Sequence, residues 1–193
     1  AAELAYNPFH CSHSRAYEDM AERMIRLTPQ GFGKVFSVSS GSEAVENTVK
    51  FGRQYQVARG LPSKHLVISR WQSYHGNTLG ALACSGYTGR RRKHTPILKD
   101  AVHIPPAFCY RCHFEKTYPA CELKCARALE TAILQEGPEN VSAFIAEPVV
   151  GAASGGAPAP PGYFQKIREI CDTYDVLFIA DEVMCGLGRT GAN

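Results

Sequence analysis

Three short runs dictate most of what this chain can become: HLVIS at 65–69, VSAFIA at 141–146 and VLFIA at 176–180. Each is apolar at successive rather than alternate positions, so each needs cover on both faces. That is the requirement of a strand inside a parallel sheet with helices above and below it. Helical patterns fall between the runs. One covers 14–27, with Ser12 or Ser14 as cap and Thr28-Pro29 as stop. Others run from 42 to about 60, over the small residues 78–85, over 120–135, and from Pro161 to 174. In the second, Ala44, Thr48, Phe51, Tyr55 and Ala58 share one face. Shorter strands are expected at 34–38 and 101–104. The expectation is an α/β fold with a mainly parallel sheet flanked by helices, and no internal repeat.

Composition narrows the function classes. With 193 residues, 45% of them apolar, and a net charge of +3, the chain can bury a sizeable core and has no electrostatic bias toward nucleic acid. Its one dense basic run, Arg90 to Lys93, lacks interleaved aromatics and reads as a solvated loop. No stretch approaches the roughly 20 apolar residues of a membrane helix, and no basic-then-apolar leader opens the chain. A cytoplasmic setting is therefore expected, with the eight cysteines reduced. The chain starts without Met and stops in a glycine-rich loop, as a piece of a longer protein would.

In parallel α/β sheets, ligands bind beyond the carboxyl ends of the strands. Four polar stretches fall there: Ser40 to Ser42 at the start of a helix, Ser73 to Gly76 after the first run, Glu147 with its loop after the second and Asp181-Glu182 after the third. Each has a bland reading alone. A serine caps a helix, and a strand-end carboxylate caps a loop. Together they fit an anionic ring cofactor that needs a phosphate cradle, an aromatic stacking partner and an anion facing a protonated ring nitrogen.

The stretches SSGSEAVENTVKFGR (39–53), SYHGNT (73–78) and AEPVVGAASGGAPAPPGYFQKIREICDTYDVLFIADEVMCGLGRTG (146–191) resemble, in order and spacing, the class III (ω-type) aminotransferases of fold type I. The resemblance implies that the chain forms part of the pyridoxal 5'-phosphate-binding large domain over 31–193, after an N-terminal segment and helix at 1–30. It implies amino-group transfer from an amino acid or amine to a 2-oxo acid, in a homodimer. Ser40, Gly41 and Ser42 would hold the phosphate. Tyr74 would lie over the ring, with His75 and Gly76 shaping the turn, and Val183 against the other ring face. Asp181 would pair with the ring nitrogen, and Glu147 would sit on the phenolic-oxygen side. The lysine that forms the Schiff base in this family lies further beyond the aspartate than the twelve residues that follow Asp181 here, and no lysine present matches its motif. The 193 residues alone would therefore be inactive, and Ser39 stands where many relatives carry Asn.

Cys109, Cys112, Cys121 and Cys125 have C-x2-C-x8-C-x3-C spacing, which suits a structural zinc or, failing that, free thiols or a disulfide pair. Cys11, Cys84, Cys171 and Cys185 read as isolated fillers, and His10, His13, His65, His94 and His103 as surface or loop residues. Two other readings remain open: a decarboxylating, racemising or aminomutase relative, and a non-catalytic α/β module stabilised by metal. The second has no use for Tyr74, Glu147 and Asp181 at strand ends.

Overall fold

The computed structural model describes residues 14–99 and 101–191. They form two compact units, one of 38–186 and a smaller one of 14–37 with 187–191. The expectations on Cys11, His10, His13 and a Ser12 cap lie outside the described residues.

In the smaller unit, α1 (Arg15–Leu27) starts where Ser14 accepts the Tyr17 N–H on its hydroxyl at 3.2 Å, and stops at Thr28. The phenol of Tyr17 donates to Val35 O at 3.3 Å. The expected strand at 34–38 is a correction, because those residues join no ladder among the described residues. Phe36 is 63% exposed, so nothing there supplies the burial that the apolar pattern asked for.

The larger unit is built from α2 (Gly41–Ala58), β1 (Leu66–Arg70), α3 (Leu79–Cys84), the single turn α4 (Thr88–Arg91), β2 (Val102–Ile104), α5 (Lys124–Glu136), β3 (Val141–Ala146), the short hairpin β4 (Val149–Val150) and β5 (Ala157–Pro158), α6 (Tyr163–Thr173) and β6 (Leu177–Ala180). The sheet order is β2-β1-β3-β6, and all three pairings are parallel. Every residue of β3 is buried, as its unbroken apolar run demands of a central strand. Ile68, Phe144 and Ala146 face α5 and α6, with Leu129, Ile133, Ile167 and Ile170. Ile145 faces α2 and α3, with Val45 and Ala81. Burying side chains of this size contributes roughly 1.5–3 kcal/mol each.

The helix at 41–58 appears as expected, but its buried face does not. Val45, Gly52 and Gln56 point inward, while Phe51 and Tyr55 are about half exposed. Gly52 is the reason. A Cβ there would lie 3.6 Å from Leu177 Cδ1, so the helix approaches the sheet through its smallest residue, and Gln56 follows it inward to donate to Ser142 O. The strand at 176–180 is also less buried than its sequence suggests, because β6 ends the sheet order and pairs with β3 alone among the described residues.

Candidate functional site at the strand ends

Parallel pairing brings the carboxyl ends of β1, β3 and β6 to one edge of the sheet. The ladder continues one residue further, with the Asp181 N–H donating to Ala146 O at 3.0 Å. Glu147 and Asp181 are therefore delivered side by side by two hydrogen-bonded strands, and both are buried.

Asp181 does not stand alone. His75 Nδ1 lies 2.7 Å from Asp181 Oδ2, with the imidazole wholly buried. A carboxylate only accepts, so that ring nitrogen carries the proton. The other carboxylate oxygen accepts the Val183 N–H at 3.2 Å. His75 is fixed by its own N–H, which donates to Ser85 Oγ at 2.8 Å, and its Nε2 is buried without a partner among the described residues.

Glu147 spends both oxygens on main chain: Oε1 accepts the Tyr74 N–H at 2.8 Å and Oε2 the Gly151 N–H at 3.0 Å. Its carboxylate thus fastens the loop after β1 to the turn after β4. Its carbonyl is held in turn by the guanidinium of Arg70, a buried cation lying over the rings of Tyr163 and Phe164 at 5.6 and 5.9 Å. Burial pushes the Tyr163 phenol up, and the nearby Arg70 opposes that shift.

The start of α2 reaches the same edge. Ser40 caps it, accepting the Glu43 N–H at 3.2 Å. The N–H groups of Gly41 and Ser42 have no acceptor among the described residues, as expected of a first helical turn. A Cβ on Gly41 would lie 3.2 Å from Val183 Cγ2, so the helix start approaches Val183, three residues past β6, this closely because position 41 is bare. A Cβ on Gly76, where φ is +134°, would lie 2.6 Å from Ser42 Oγ and 2.9 Å from Ser42 Cα. The Ser42 hydroxyl itself is engaged, donating to Asn77 Oδ1 at 3.0 Å and accepting the Asn77 N–H at 3.1 Å. For an anion at the helix start, the backbone N–H groups are thus the free donors.

All nine residues expected at the site meet at this edge. Gly41 lies near Val183, Val183 bonds Asp181, Asp181 bonds His75, Gly76 lies near Ser42, and Tyr74 is tied to Glu147.

The sequence reading missed the supporting residues. Asn77 locks Ser42. Glu46 reaches from α2 to accept from Thr78 Oγ1 and from the Gly80 and Ala81 N–H groups. The run Arg90 to Lys93 is not simply solvated. The Arg90 guanidinium lies 4.7 Å from the Tyr74 ring centre, and Arg91 donates to the carbonyls of Leu82, Ala83 and Ser85 at the end of α3. His103 is likewise no surface residue, since it stacks on Trp71 at 4.4 Å with ring nitrogens facing Ala101 O and Ser85 O. Burial lowers its pKa.

The zinc expectation is corrected. Among the described residues no group of three or more His, Cys, Asp or Glu side chains is placed to hold a metal ion. The four cysteines are spread over different local structures, Cys109 on a short turn and Cys125 in the first turn of α5. The helix begins only at Lys124, and the two residues before it, Glu122 and Leu123, take left-handed backbone angles.

The family model described as Aminotransferase class-III matches residues 1–193. A probable aminotransferase of Mycobacterium tuberculosis is 40% identical over 192 residues, covering 100% of this chain and 41% of that protein. A putrescine–pyruvate aminotransferase of Pseudomonas aeruginosa is 39% identical over 187 residues, covering 96% of this chain and 41% of that protein. Among solved structures, an omega transaminase from Pseudomonas jessenii in complex with PMP superposes with a TM-score of 0.88 at 37% identity, covering 95% of this chain and 41% of that one. The chain spans about two-fifths of the length of the relatives it matches.

Proposed function

We propose a function from one premise: this chain belongs to the class-III aminotransferase family. The whole protein transfers an amino group from an amino acid or amine to a 2-oxo acid with pyridoxal 5'-phosphate, and the strand-end edge is its cofactor site. The observation that carries this reading is the buried His75–Asp181 pair, 2.7 Å apart, beside a helix start with unclaimed N–H groups.

The residues present fit that cofactor. The N–H groups of Gly41 and Ser42, at the positive end of the α2 dipole, suit a phosphate. Gly41 leaves room where a side chain would meet Val183. Asp181 is a carboxylate with lone pairs to spare beyond His75 and the Val183 N–H, which suits a ring nitrogen that must stay protonated. When bound, the cofactor supplies an electron sink for the carbanion at the substrate Cα.

The chain's own residues do the rest. His75 donates to Asp181, holding its carboxylate in one orientation. Ser85 holds His75 in turn. Glu147 positions Tyr74 through the main chain, so it acts on placement rather than as an acid or base. In this reading Tyr74 and Val183 would lie on the two faces of the ring, and Asn77 keeps the Ser42 hydroxyl in place. The relative from Pseudomonas aeruginosa takes putrescine and pyruvate by its name, so diamines and pyruvate head the substrates to try. A homodimer and a cytoplasmic setting belong to the same reading.

The test is the absorbance of the full-length protein with pyridoxal phosphate, before and after an amino donor such as alanine or putrescine. A protein-bound band that bleaches with the donor is expected, and Asp181→Ala should remove it. A protein that retains no cofactor, or that behaves identically with Asp181→Ala, overturns the reading.

A further inference from the structure

Arg70, 1% exposed at the end of β1, is the largest of the fully buried side chains. A guanidinium in a protein is always charged. Among the described residues no carboxylate forms an ion pair with it. Its charge is met instead by the rings of Tyr163 and Phe164 and by one acceptor, Glu147 O, while its Nε is buried without a partner among the described residues. Burying a cation on these terms costs stability, and an apolar side chain of similar volume would fill the same space at less cost. Packing therefore does not account for an arginine at this position.

What it grips does. Glu147 is joined to the loop after β1 twice, in opposite senses. The Arg70 side chain donates to the Glu147 main chain, and the Glu147 side chain accepts from the Tyr74 main chain at 2.8 Å. Both ends of the stretch 70–74 are thus clasped on one residue at the end of β3. Between them the chain turns sharply: Gln72 takes a φ of +57°, and Ser73 Oγ donates to Arg70 O at 2.7 Å. The second Glu147 oxygen accepts the Gly151 N–H at 3.0 Å, and Ser154 Oγ donates to Gln72 O at 3.3 Å, so the turn after β4 is fastened to the same loop.

We infer that Arg70 is a positioning residue for the cofactor ring: by fixing the Glu147 main chain it fixes the carboxylate that holds Tyr74, the residue assigned to one face of that ring. The inference rests on the cofactor reading above. Arg70 acts through Glu147 and Tyr74, so its effect falls on the ring. The phosphate, held by N–H groups at the start of α2, is outside its reach.

The test uses the full-length protein with Arg70→Met, which fills a similar volume without charge or donors. Hydrogen exchange comes first, without cofactor. Arg70→Met should speed exchange at the Tyr74 amide about tenfold or more, the worth of one hydrogen bond to a charged group, and leave Leu129 in α5 unchanged. Arg70→Lys, which keeps the charge but not the planar fork, should fall between Arg70→Met and the wild type. Dissociation constants come second. Pyridoxal and pyridoxal phosphate should both bind Arg70→Met about tenfold more weakly, while inorganic phosphate binds as it does to the wild type. Adding Glu147→Ala to Arg70→Met should weaken pyridoxal binding little further, because both substitutions open one clasp.

Unchanged exchange at Tyr74 in Arg70→Met overturns the inference, as does equal acceleration at Leu129, which would mean a general loss of stability. A loss of affinity confined to phosphate-bearing ligands, or full additivity with Glu147→Ala, overturns it too. If Arg70→Met does not fold, Arg70→Lys takes its place, and wild-type exchange at Tyr74 in that variant is then the overturning result. Faster exchange at Tyr74 in a protein that retains no cofactor even as wild type would uphold the clasp and overturn the cofactor reading instead.

Discussion

At the scale of single residues, the site depends on places where a side chain is forbidden. Gly76 and Gly60 both have positive φ, +134° and +78°, but only Gly76 is crowded. Nothing lies within 4 Å of a Cβ on Gly60, whereas a Cβ on Gly76 would lie 2.9 Å from the main chain at Ser42. Gly60→Ala should therefore cost only the left-handed backbone, about 1–2 kcal/mol. Gly76→Ala should cost about 3 kcal/mol or more, because the loop after β1 must also move off the start of α2. Urea unfolding of both variants measures the difference. Equal costs would mean that the loop and the helix start are not held in the close approach described. The same comparison shows what a sequence does not reveal. Gly60 and Gly76 look alike in a string, and only the fold says which one has a neighbour.

At the scale of elements, α3 is a helix whose start is secured by another helix. Its N-cap, Thr78, makes no bond from its side chain to its own first turn, and Glu46 of α2 takes the Gly80 and Ala81 N–H groups instead. Hydrogen bonds to a charged acceptor contribute about 1.5–3 kcal/mol. Glu46→Ala should lower stability by about 2 kcal/mol and speed hydrogen exchange at Gly80 and Ala81 while leaving α6 unchanged. Unaltered protection at those two amides would remove Glu46 from this role. The existence and order of such elements were legible in the sequence, because helix and strand periods are local. The face of α2 was not. Phe51 and Tyr55 drew the inward stripe toward themselves, while the buried positions were Gly52, chosen for close approach to Leu177, and Gln56, chosen for a bond to Ser142 O. Strand-end acids could be found because an apolar run announces where it stops. Arg70, Asn77 and Glu46 could not, since their partners lie 77, 35 and 34 positions away.

At the scale of the whole molecule, three buried thiols give the fold an alkaline limit. Burial raises Cys84, Cys125 and Cys171 from 9.0 to about 11, each on a different element: α3, α5 and α6. Well below pH 9.0 these thiols are protonated whether the chain is folded or not, so there they give stability no slope. Between 9.0 and about 11 the unfolded chain releases protons that the folded chain keeps. The folded state then binds more protons, and stability must fall as pH rises. Above about 11 the folded thiols ionise too, and this contribution levels off. Urea unfolding from pH 8 to about 11, with a reductant present to prevent oxidation, should show that decline. Cys171→Ala should make it shallower even though the variant is less stable at neutral pH, because it deletes a methyl-sized volume from the core and a titrating group together. A decline of the same steepness in Cys171→Ala would assign the alkaline limit to other groups. Tyr163, whose phenol burial also raises and which shares a core cluster with Cys125 and Cys171, would be the first of these to replace, with phenylalanine.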